Sequence, residues 1–248
     1  MASLSKNKIK FIHSLELKKI RKEERVFLAE GPKLVGDLLG HFPCRFLAAT
    51  PSWLQEHPGI DASELVEVSQ EDLSRASLLK TPQQVLAIFE QPQYTLDPEA
   101  VRSSLCLALD DVQDPGNVGT IIRTADAAGY DGVFISQHSA DIYNLKTLRS
   151  MQGSHFHLPI YRVRTSDFLN LTKQVQLPIL ATTLSKDSMD YRELAPLSDF
   201  ALVLGNEGQG ISHEMAEAAD NLIHISMKGR AESLNVAVAA GILIFALS

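Results

Sequence analysis

Residues 107–129 read LALDDVQDPGNVGTIIRTADAAG: an apolar strand-like run, a turn rich in Asp, Pro and Gly, and then a helix-like run. The same order recurs in LVLGNEGQGIS, residues 202–212, and in HISMKGRAESLNVAVAAGIL, residues 224–243. In a parallel α/β sheet, the carboxyl ends of the strands and the loops that follow them form the ligand crevice. Because each loop carries an acid, an amide, a hydroxyl or a guanidinium, we expect the three loops to build one composite site.

The bulk composition is that of an ordinary globular protein. The chain has 248 residues, of which 45% are hydrophobic and 21% charged, and this length suits one large domain or two small ones. Cys44 and Cys106 lie in apolar runs without a CxxC pair, which argues against a disulfide scaffold or a zinc knuckle. No apolar signal core or run of about 20 apolar residues is present. We therefore expect a cytoplasmic protein that does not enter a membrane.

The charge is unevenly distributed. The net charge is −7, but residues 1–25 hold eight Lys or Arg and three Glu, so this segment carries +5 and the remainder −12. Screening at physiological salt acts over about 8 Å, so a basic segment binds phosphates locally even on an acidic body. A solvated first helix explains the same charge equally well.

The chain divides into two predicted domains, 1–91 and 105–248, joined by a Pro-containing linker, 92–104. In the first domain we expect a basic helix up to about Arg25 and further helices at 32–39 and 71–79, with strands at 26–29, 45–49, 65–68 and 85–90. In the second domain, helical runs separate six strand candidates, which predicts an α/β fold with a parallel sheet covered on both faces. These candidates are 105–109, 132–136, 157–161, 179–183, 201–205 and 221–226.

The polar residues of the first two loops have a functional and an ordinary interpretation. Asn117 is a favourable helix N-cap, and Arg123 shares a helix face with Gly119, which would aim its guanidinium along the crevice. A capped helix with a surface arginine is the ordinary alternative. In the second loop, Glu207 is either solvated or accepts hydrogen bonds inside the crevice. The glycine order there is G-x-x-G-x-G rather than the dinucleotide fingerprint G-x-G-x-x-G, which disfavours a dehydrogenase.

The third loop leads into an apolar C-terminal helix. Ser233 is predicted as its N-cap, whereas Asn235 falls in the first turn and needs another explanation. A helix that is apolar all round must be buried, either deep in the core or at a subunit interface. Elsewhere, strand alternation would put His155 and His157 on one face, but no carboxylate or cysteine is spaced with them, so we predict no metal site.

The segments DPGNVGTIIRTADAAG, LGNEGQGIS and SMKGRAESLNVAVA, in this order, resemble the three motifs of the SpoU (TrmH-type) branch of the SPOUT superfamily. Its members transfer methyl groups from S-adenosylmethionine to ribose 2′-hydroxyls of rRNA or tRNA. The basic helix and FLAEGPKLVGDLL resemble the L30-like RNA-binding domain often fused to such enzymes. The resemblance implies a trefoil knot in the C-terminal domain, a homodimer formed through the C-terminal helix, and S-adenosylmethionine as cofactor.

The resemblance also implies roles for particular residues. The catalytic set falls on Asn117, Arg123, Glu207, Ser233 and Asn235. The cofactor contacts, largely through backbone groups, fall on Thr182, Gly205, Gly208, Ile225, Met227 and Leu234. We expect RNA contacts from basic side chains of the first helix and of YNLKTLRSMQGS, namely Lys6, Lys8, Lys10, Arg21, Lys146 and Arg149. Relatives tend to have Pro at position 145 and a small residue at 151, so the helix there is expected to start or pack differently.

The substrate is the least determined part of the prediction. An L30-like domain with a basic first helix favours structured rRNA, above all 23S rRNA, over tRNA, because structured RNA is recognised by shape and phosphates. A tRNA 2′-O-methyltransferase and a non-catalytic ribosomal RNA-binding module remain the alternatives.

Overall fold

A computed structural model describes residues 3–248 of the chain. The described residues form two compact units, one comprising residues 3–93 and 143–156 and the other residues 94–142 and 157–248. Residues 143–156 thus pack with the first unit although they lie between two strands of the second in sequence. The domain limits 1–91, 92–104 and 105–248 stay a prediction, and residues 1 and 2 lie outside the described residues.

The first unit is a small α/β domain with its own sheet, as predicted. Its strands are Val26–Glu30 (β1), Cys44–Ala49 (β2), Leu65–Glu67 (β3) and Val85–Glu90 (β4). Its first helices are Lys6–Ser14 (α1), Lys18–Glu24 (α2), Pro32–Leu38 (α3), Pro51–Glu56 (α4) and Gln70–Ala76 (α5). The strand order is β1-β4-β2-β3, with only the β2–β3 pair parallel. Fully buried side chains of these elements, Ile12, Phe46 and Ile88 among them, form the core on one side of this sheet.

The prediction of one basic helix up to Arg25 is wrong, because the chain turns between α1 and α2. Arg21 stabilises this turn, because its buried guanidinium donates hydrogen bonds to the carbonyl oxygens of Leu15, at 2.6 Å, and Glu16, at 2.7 Å. Arg25 then ends α2 in the left-handed region, with φ 54°. A side chain that satisfies two turn carbonyls stabilises the break, since these groups lose their partners where a helix ends.

The second unit confirms the predicted parallel sheet. Its strands are Leu105–Asp110 (β5), Gly132–Ser136 (β6), Ile160–Val163 (β7), Ile179–Thr182 (β8), Met189–Asp190 (β9), Phe200–Gly205 (β10) and Asn221–His224 (β11). The remaining helices are Pro98–Val101 (α6), Pro115–Ala127 (α7), Leu145–Met151 (α8, within the first unit), Thr165–Val175 (α9), His213–Ala218 (α10) and Val236–Leu247 (α11). The order is β7-β6-β5-β10-β8-β11-β9, with every neighbouring pair parallel. Both faces of the central strands are covered, since all residues of β6 and β10 are buried, as parallel sheets require.

Several local predictions differ from the structure. His155 lies in a short 3-10 turn, Ser154–Phe156, and β7 begins only at Ile160, so the expected strand alternation of His155 and His157 is wrong. The two-residue strand β9 was not predicted, because it is too short to show a period. α8 begins at Leu145, capped by Asn144, and Met151 at its end is fully buried.

The structure also bears on the predicted linker, residues 92–104, and on the expectation that the chain does not enter a membrane. Part of the linker forms α6, whose Val101 is buried in the core of the second unit. Within residues 3–248, no helix is both long enough and apolar enough to span a bilayer.

Candidate active site

The first two predicted site loops leave the sheet side by side. β5 and β10 are neighbours, with Asp110 opposite Gly205 at their carboxyl ends. The third loop follows β11, which lies two strands from β10, and it ends in α11. α11 packs against α7, the helix that follows the first loop. The sheet and this helix pair therefore bring all three loops to one edge, as the sequence predicted.

The second loop is a tight turn organised by Asn206. Its backbone N–H and C=O pair with those of Gly210 at 2.8 and 2.9 Å, and its side-chain Oδ1 accepts from the N–H groups of Gly208, at 2.8 Å, and Gln209, at 3.0 Å. A Cβ at Gly205 would lie 2.3 Å from the backbone carbon of Gly210, so any larger residue displaces the turn. The glycines here allow a compact turn, and Asn206, which was not predicted from the sequence, organises that turn.

Hydrogen bonds to backbone groups brace the first loop against the second. Asn206 Nδ2 donates to the carbonyl oxygen of Asp111 at 2.9 Å. The buried carboxylate of Asp110 accepts from the N–H of Ser212 at 2.6 Å. Asp111 itself has φ 59°, and Ser136 Oγ donates to its carboxylate at 2.6 Å. These contacts fix the position of Glu207 relative to α7.

A hydrogen-bonded network of three side chains joins all three loops. Asn117 Nδ2 donates to Glu207 Oε1 at 2.9 Å, and Asn235 Nδ2 donates to Asn117 Oδ1 at 3.2 Å. The orientation of both amides is forced: a carboxylate only accepts hydrogen bonds, and Asn235 Oδ1 is occupied by the N–H groups of Ala237 and Val238. The exposed Glu207 carboxylate is therefore held at a defined point of the site.

The capping predictions for both helices are wrong. Asp114 caps α7, accepting from the N–H of Asn117 at 2.9 Å, with Pro115 as the first helical residue. Pro at that position is favourable because its missing N–H would be unpaired anyway. Asn235, not Ser233, caps α11. Each asparagine thus helps to form a helix end and also takes part in the three-residue chain.

The remaining two predicted catalytic residues are exposed. Arg123 lies on α7 four residues after the buried Gly119, and its guanidinium makes no hydrogen bond or ion pair with residues 3–248. Ser233 is exposed in the loop before α11. The structure therefore joins Asn117, Glu207 and Asn235 directly, and leaves the guanidinium of Arg123 available to a ligand.

The predicted cofactor residues cluster at three adjacent strands. Thr182 ends β8, Gly205 ends β10 and Ile225 follows β11, and these strands are neighbours in the order β10-β8-β11. Adjacent strands lie about 4.8 Å apart, so the three ends span roughly 10 Å. Thr182 Oγ1 donates to the carbonyl oxygen of Val203 at 3.0 Å, which ties β8 to β10.

The other predicted cofactor residues lie in the loops that follow. Gly208 lies in the second loop, and Met227 and Leu234 lie in the third, where the Leu234 side chain is 37% exposed. The strand ends offer backbone polar groups, and accessible apolar side chains lie beside them. This combination fits a cofactor with a planar base and a polar tail. The described part of the chain has no cluster of three or more His, Cys, Asp or Glu suited to a metal ion.

The predicted RNA contacts of the first helices have different surroundings. Lys6 and Lys10 are exposed and line, with His13 and Arg75, a hollow of about 460 Å³. Lys8 instead pairs with Glu64 at 2.6 Å and lies over the Phe46 ring. The structure contradicts an RNA contact for Arg21, because its guanidinium is buried in the α1–α2 turn.

The other two predicted RNA contacts line a larger cavity of the first unit, which we call the basic cleft. It has a volume of about 930 Å³ and lies between α3, the loop before β4 and α8. Four of its lining residues are basic and two are acidic: Lys33, Lys80, Lys146, Arg149, Glu30 and Asp37. Lys33 pairs with Asp37 at 2.7 Å. Lys33 and Lys80 were not predicted as RNA contacts, because nothing in their spacing relates them to α8.

Glu30 forms part of the wall of the basic cleft. Its buried carboxylate accepts hydrogen bonds from Ser77 Oγ and, at 2.9 Å, from the N–H of Leu78. Burial raises the pKa of Glu30, while these hydrogen bonds and the charges of His13 and Arg149 act in the opposite direction. Glu30 therefore fixes the loop that carries Lys80.

A parallel sheet with a polar site in the loops at its carboxyl edge is the arrangement in which α/β proteins bind ligands. The sequence profile of the SpoU rRNA Methylase family matches residues 104–245. The chain belongs to this family, and the predicted family is confirmed. A second profile, that of the MRM3-like substrate binding domain, matches residues 6–87.

Individual relatives match almost the whole chain. The 23S rRNA (guanosine(2553)-2′-O)-methyltransferase RlmP of Bacillus subtilis is 38% identical over 251 residues, covering 99% of this chain and 97% of the relative. A protein from Porphyromonas gingivalis described as of the TrmH family has TM-score 0.88 and 38% identity, covering 98% of this chain and 97% of that one. An AdoMet-bound rRNA methyltransferase from Sinorhizobium meliloti has TM-score 0.84 and 37% identity, covering 99% and 95%.

Proposed function

We propose that this protein methylates a ribose 2′-hydroxyl in 23S rRNA, using S-adenosylmethionine. The observation that carries the proposal is the hydrogen-bonded chain Glu207–Asn117–Asn235, which joins the three motif loops at one edge of the sheet. The relatives that match nearly the full length of the chain include an rRNA 2′-O-methyltransferase and an AdoMet-bound rRNA methyltransferase.

The cofactor contacts are assigned to the ends of β8, β10 and β11. Backbone groups at Thr182, Gly205 and Ile225, with Gly208 and Met227 in the following loops and Leu234 as an apolar contact, would hold it. When bound, S-adenosylmethionine would supply the methyl group, whose bond to sulfur breaks as the bond to the ribose 2′-oxygen forms and the hydroxyl proton is released to solvent. Such a transfer depends mainly on alignment and on the placement of charge.

The chain's own residues supply that alignment. A guanidinium is not deprotonated in proteins, so Arg123 acts as a clamp on the target phosphate that orients the 2′-hydroxyl. The exposed Arg123 lacks a partner among residues 3–248 and is thus available for an anion. Glu207, held by Asn117, accepts hydrogen bonds from the ribose, and Ser233 and Asn235 contribute polar contacts from the third loop.

The first unit provides RNA affinity. The basic cleft is lined by four cationic side chains. The smaller hollow of about 460 Å³ beside α1 is lined by three, Lys6, Lys10 and Arg75. Lys and Arg contacts to phosphates account for much of the affinity of proteins for nucleic acids. We assign RNA binding to these two surfaces, with domain limits of 1–91 for the RNA-binding domain, 92–104 for the linker and 105–248 for the methyltransferase domain.

We further propose a homodimer formed through α11. This helix has no charged residue, and it leaves Val238 52% and Phe245 58% exposed, while Leu243 and Ile244 are buried. A second copy of this chain would cover the exposed face. The family resemblance also implies a trefoil knot in the second unit. Action in the cytoplasm is proposed separately, because Cys44 and Cys106 are free thiols, as is usual in a reducing compartment. A Phe245→Asp variant that sediments as a monomer, while the unaltered protein sediments as a dimer, would support this interface.

Mapping of ribose methylation in a strain that lacks the gene tests the function. We expect one 2′-O-methylated nucleotide of 23S rRNA to be lost and to return when the unaltered gene is supplied. Loss of a tRNA mark instead would assign the enzyme to tRNA. An unchanged methylation pattern in both RNAs would favour a non-catalytic RNA-binding module.

A further inference from the structure

The edge strand β9 carries a buried carboxylate that the site described above does not use. Asp190 lies opposite His224 in the β9–β11 pair. Its Oδ1 accepts from the backbone N–H of Arg192, at 3.0 Å, and from Arg192 Nε, at 2.6 Å. Its Oδ2 accepts from the second prong of the same guanidinium at 2.7 Å. A two-pronged arginine–carboxylate pair of this kind is strong and geometrically specific.

The same carboxylate reaches the third loop. Asp190 Oδ2 also accepts from the backbone N–H of Ser226, at 3.3 Å. Ser226 lies between Ile225 and Met227, the two predicted cofactor contacts of this loop. The hydrogen bonds from Arg192 and Ser226 hold the pKa of Asp190 well below its usual range, so the carboxylate is charged and accepts these bonds at neutral pH.

His224 holds Ser226 from the other side. Its Nδ1 is 3.0 Å from Ser188 Oγ, and its Nε2 is 3.4 Å from Ser226 Oγ. Ser188 belongs to the segment that follows β8, so the ring joins this segment to the third loop. The proximity of Ser, His and Asp does not form a hydrolytic triad, because the Asp190 carboxylate binds Arg192 and Ser226 and not the imidazole.

We propose that Asp190, supported by Arg192 and His224, is a positioning residue for the cofactor, because it fixes the backbone of Ile225–Met227. Backbone groups bind a ligand well only when their orientation is fixed before binding, since ordering a loop on binding costs free energy. Asp190 touches neither the cofactor nor the RNA and acts only through Ser226. This inference rests on the proposed use of S-adenosylmethionine.

Substitution at Asp190 tests the inference, with S-adenosylmethionine itself as the probe. We expect Asp190→Ala to raise the Kd for S-adenosylmethionine by about tenfold in calorimetry. At saturating cofactor, kcat and the KM for RNA should stay within about twofold of those of the unaltered protein, because the chemical step is untouched. Asp190→Asn keeps an acceptor for the Ser226 N–H and should have an intermediate Kd.

Asp167→Ala is the matched control. Asp167 forms an equally two-pronged pair with Arg164, both bonds at 2.9 Å, but this pair is exposed on the first turn of α9. Its removal should leave the Kd unchanged. Ser188→Ala provides a milder second variant, which removes the hydroxyl contact to His224 together with a hydrogen bond to the carbonyl oxygen of Ser185, at 2.6 Å, and should raise the Kd by about threefold.

The outcomes separate the inference from the proposed function. If the unaltered protein fails to bind S-adenosylmethionine, the proposed function is wrong. If it binds, but the folded Asp190 and Ser188 variants bind equally well, the positioning role is wrong. A lower melting temperature for Asp190→Ala with an unchanged Kd would likewise overturn it, since a purely structural residue gives that result.

Discussion

The loop site of the second unit and the basic cleft of the first unit are built in opposite ways. In the loop site, Glu207, Asn117 and Asn235 are joined by direct hydrogen bonds, and each amide has only one possible orientation. In the basic cleft, Lys80 and Arg149 are exposed side chains that gather around a wide cavity. Catalysis requires groups placed to within a fraction of an ångström, whereas phosphate binding depends on the number of charges.

Sequence motifs reveal the loop site but not the basic cleft. A site fixed by hydrogen bonds demands particular residue types at particular spacings, so its residues stand out in the sequence. A cleft that works by charge accepts Lys or Arg at many positions, so its members are found only when the fold brings them together. Four sets of substitutions test this difference between the two regions, and the largest effect is expected at Asn117.

Asn117→Asp should break the loop site most severely. It keeps the size of the side chain but replaces the donor that faces Glu207 with an acceptor, and places two carboxylates in contact. We expect kcat to fall by about 10² to 10³ at pH 8, as when a positioned polar group is lost from an active site. Because two such carboxylates share a proton at lower pH, the rate should partly recover near pH 5. A pH–rate profile parallel to that of the unaltered enzyme would contradict the network.

Arg123→Lys tests the phosphate clamp. Lysine keeps the charge but loses the planar, two-pronged geometry, so kcat/KM for RNA should fall by about tenfold to 10². The Kd for S-adenosylmethionine should not change, because the cofactor contacts lie on other loops. A near-normal rate with an unchanged pH dependence would contradict the clamp role of Arg123.

Neutralising the basic cleft should weaken RNA binding without affecting the chemistry. In the double variant Lys80→Gln with Arg149→Gln, two phosphate contacts are removed, and the slope of log affinity against log salt should fall by roughly 1.5. Binding of S-adenosylmethionine should be unaffected. Lys173→Gln, an exposed lysine on α9, is the control and should leave the slope unchanged. An unaltered slope in the double variant would exclude the cleft from RNA binding.

Glu30→Gln should have the smallest effect, and it concerns the stability of the cleft wall. Burial raises the pKa of Glu30 in the folded state, so its folded form binds the proton more tightly than the unfolded chain does. The stability from this group is present at low pH and is lost as the pH rises through the raised pKa. Relative to the variant, the unaltered protein should lose unfolding free energy as the pH rises from the ordinary glutamate pKa through the raised pKa of Glu30. Urea denaturation at several pH values measures this, and a difference that is flat with pH would contradict it.

The sequence predicted the parallel sheet and the three loops, because apolar strand runs followed by polar turns are local patterns. It misplaced both helix starts, since Asp114 and Asn117, or Ser233 and Asn235, are all acceptable caps and only the tertiary contacts choose between them. Pro115 was the stronger signal for the start of α7. Local spacing in the sequence identifies the loop residues but not the exact residue at which each helix begins.

Other features depend on contacts that spacing does not encode. The break between α1 and α2 requires Arg21 to reach the carbonyl groups of Leu15 and Glu16. Residues 143–156 join the first unit because His155 stacks on Phe42 and Tyr143 stacks on Phe27. Asp190 belongs to a strand of two residues, which has no period to detect.

Transfer of labelled methyl groups from S-adenosylmethionine to purified 23S rRNA, with the product identified by nucleoside mass spectrometry, tests whether the protein is a 23S rRNA 2′-O-methyltransferase. The unaltered protein should produce one 2′-O-methylated nucleoside at a single position, and Asn117→Asp should produce very little at pH 8. Label on a base, label in tRNA but not in 23S rRNA, or equal transfer by both proteins would contradict the account.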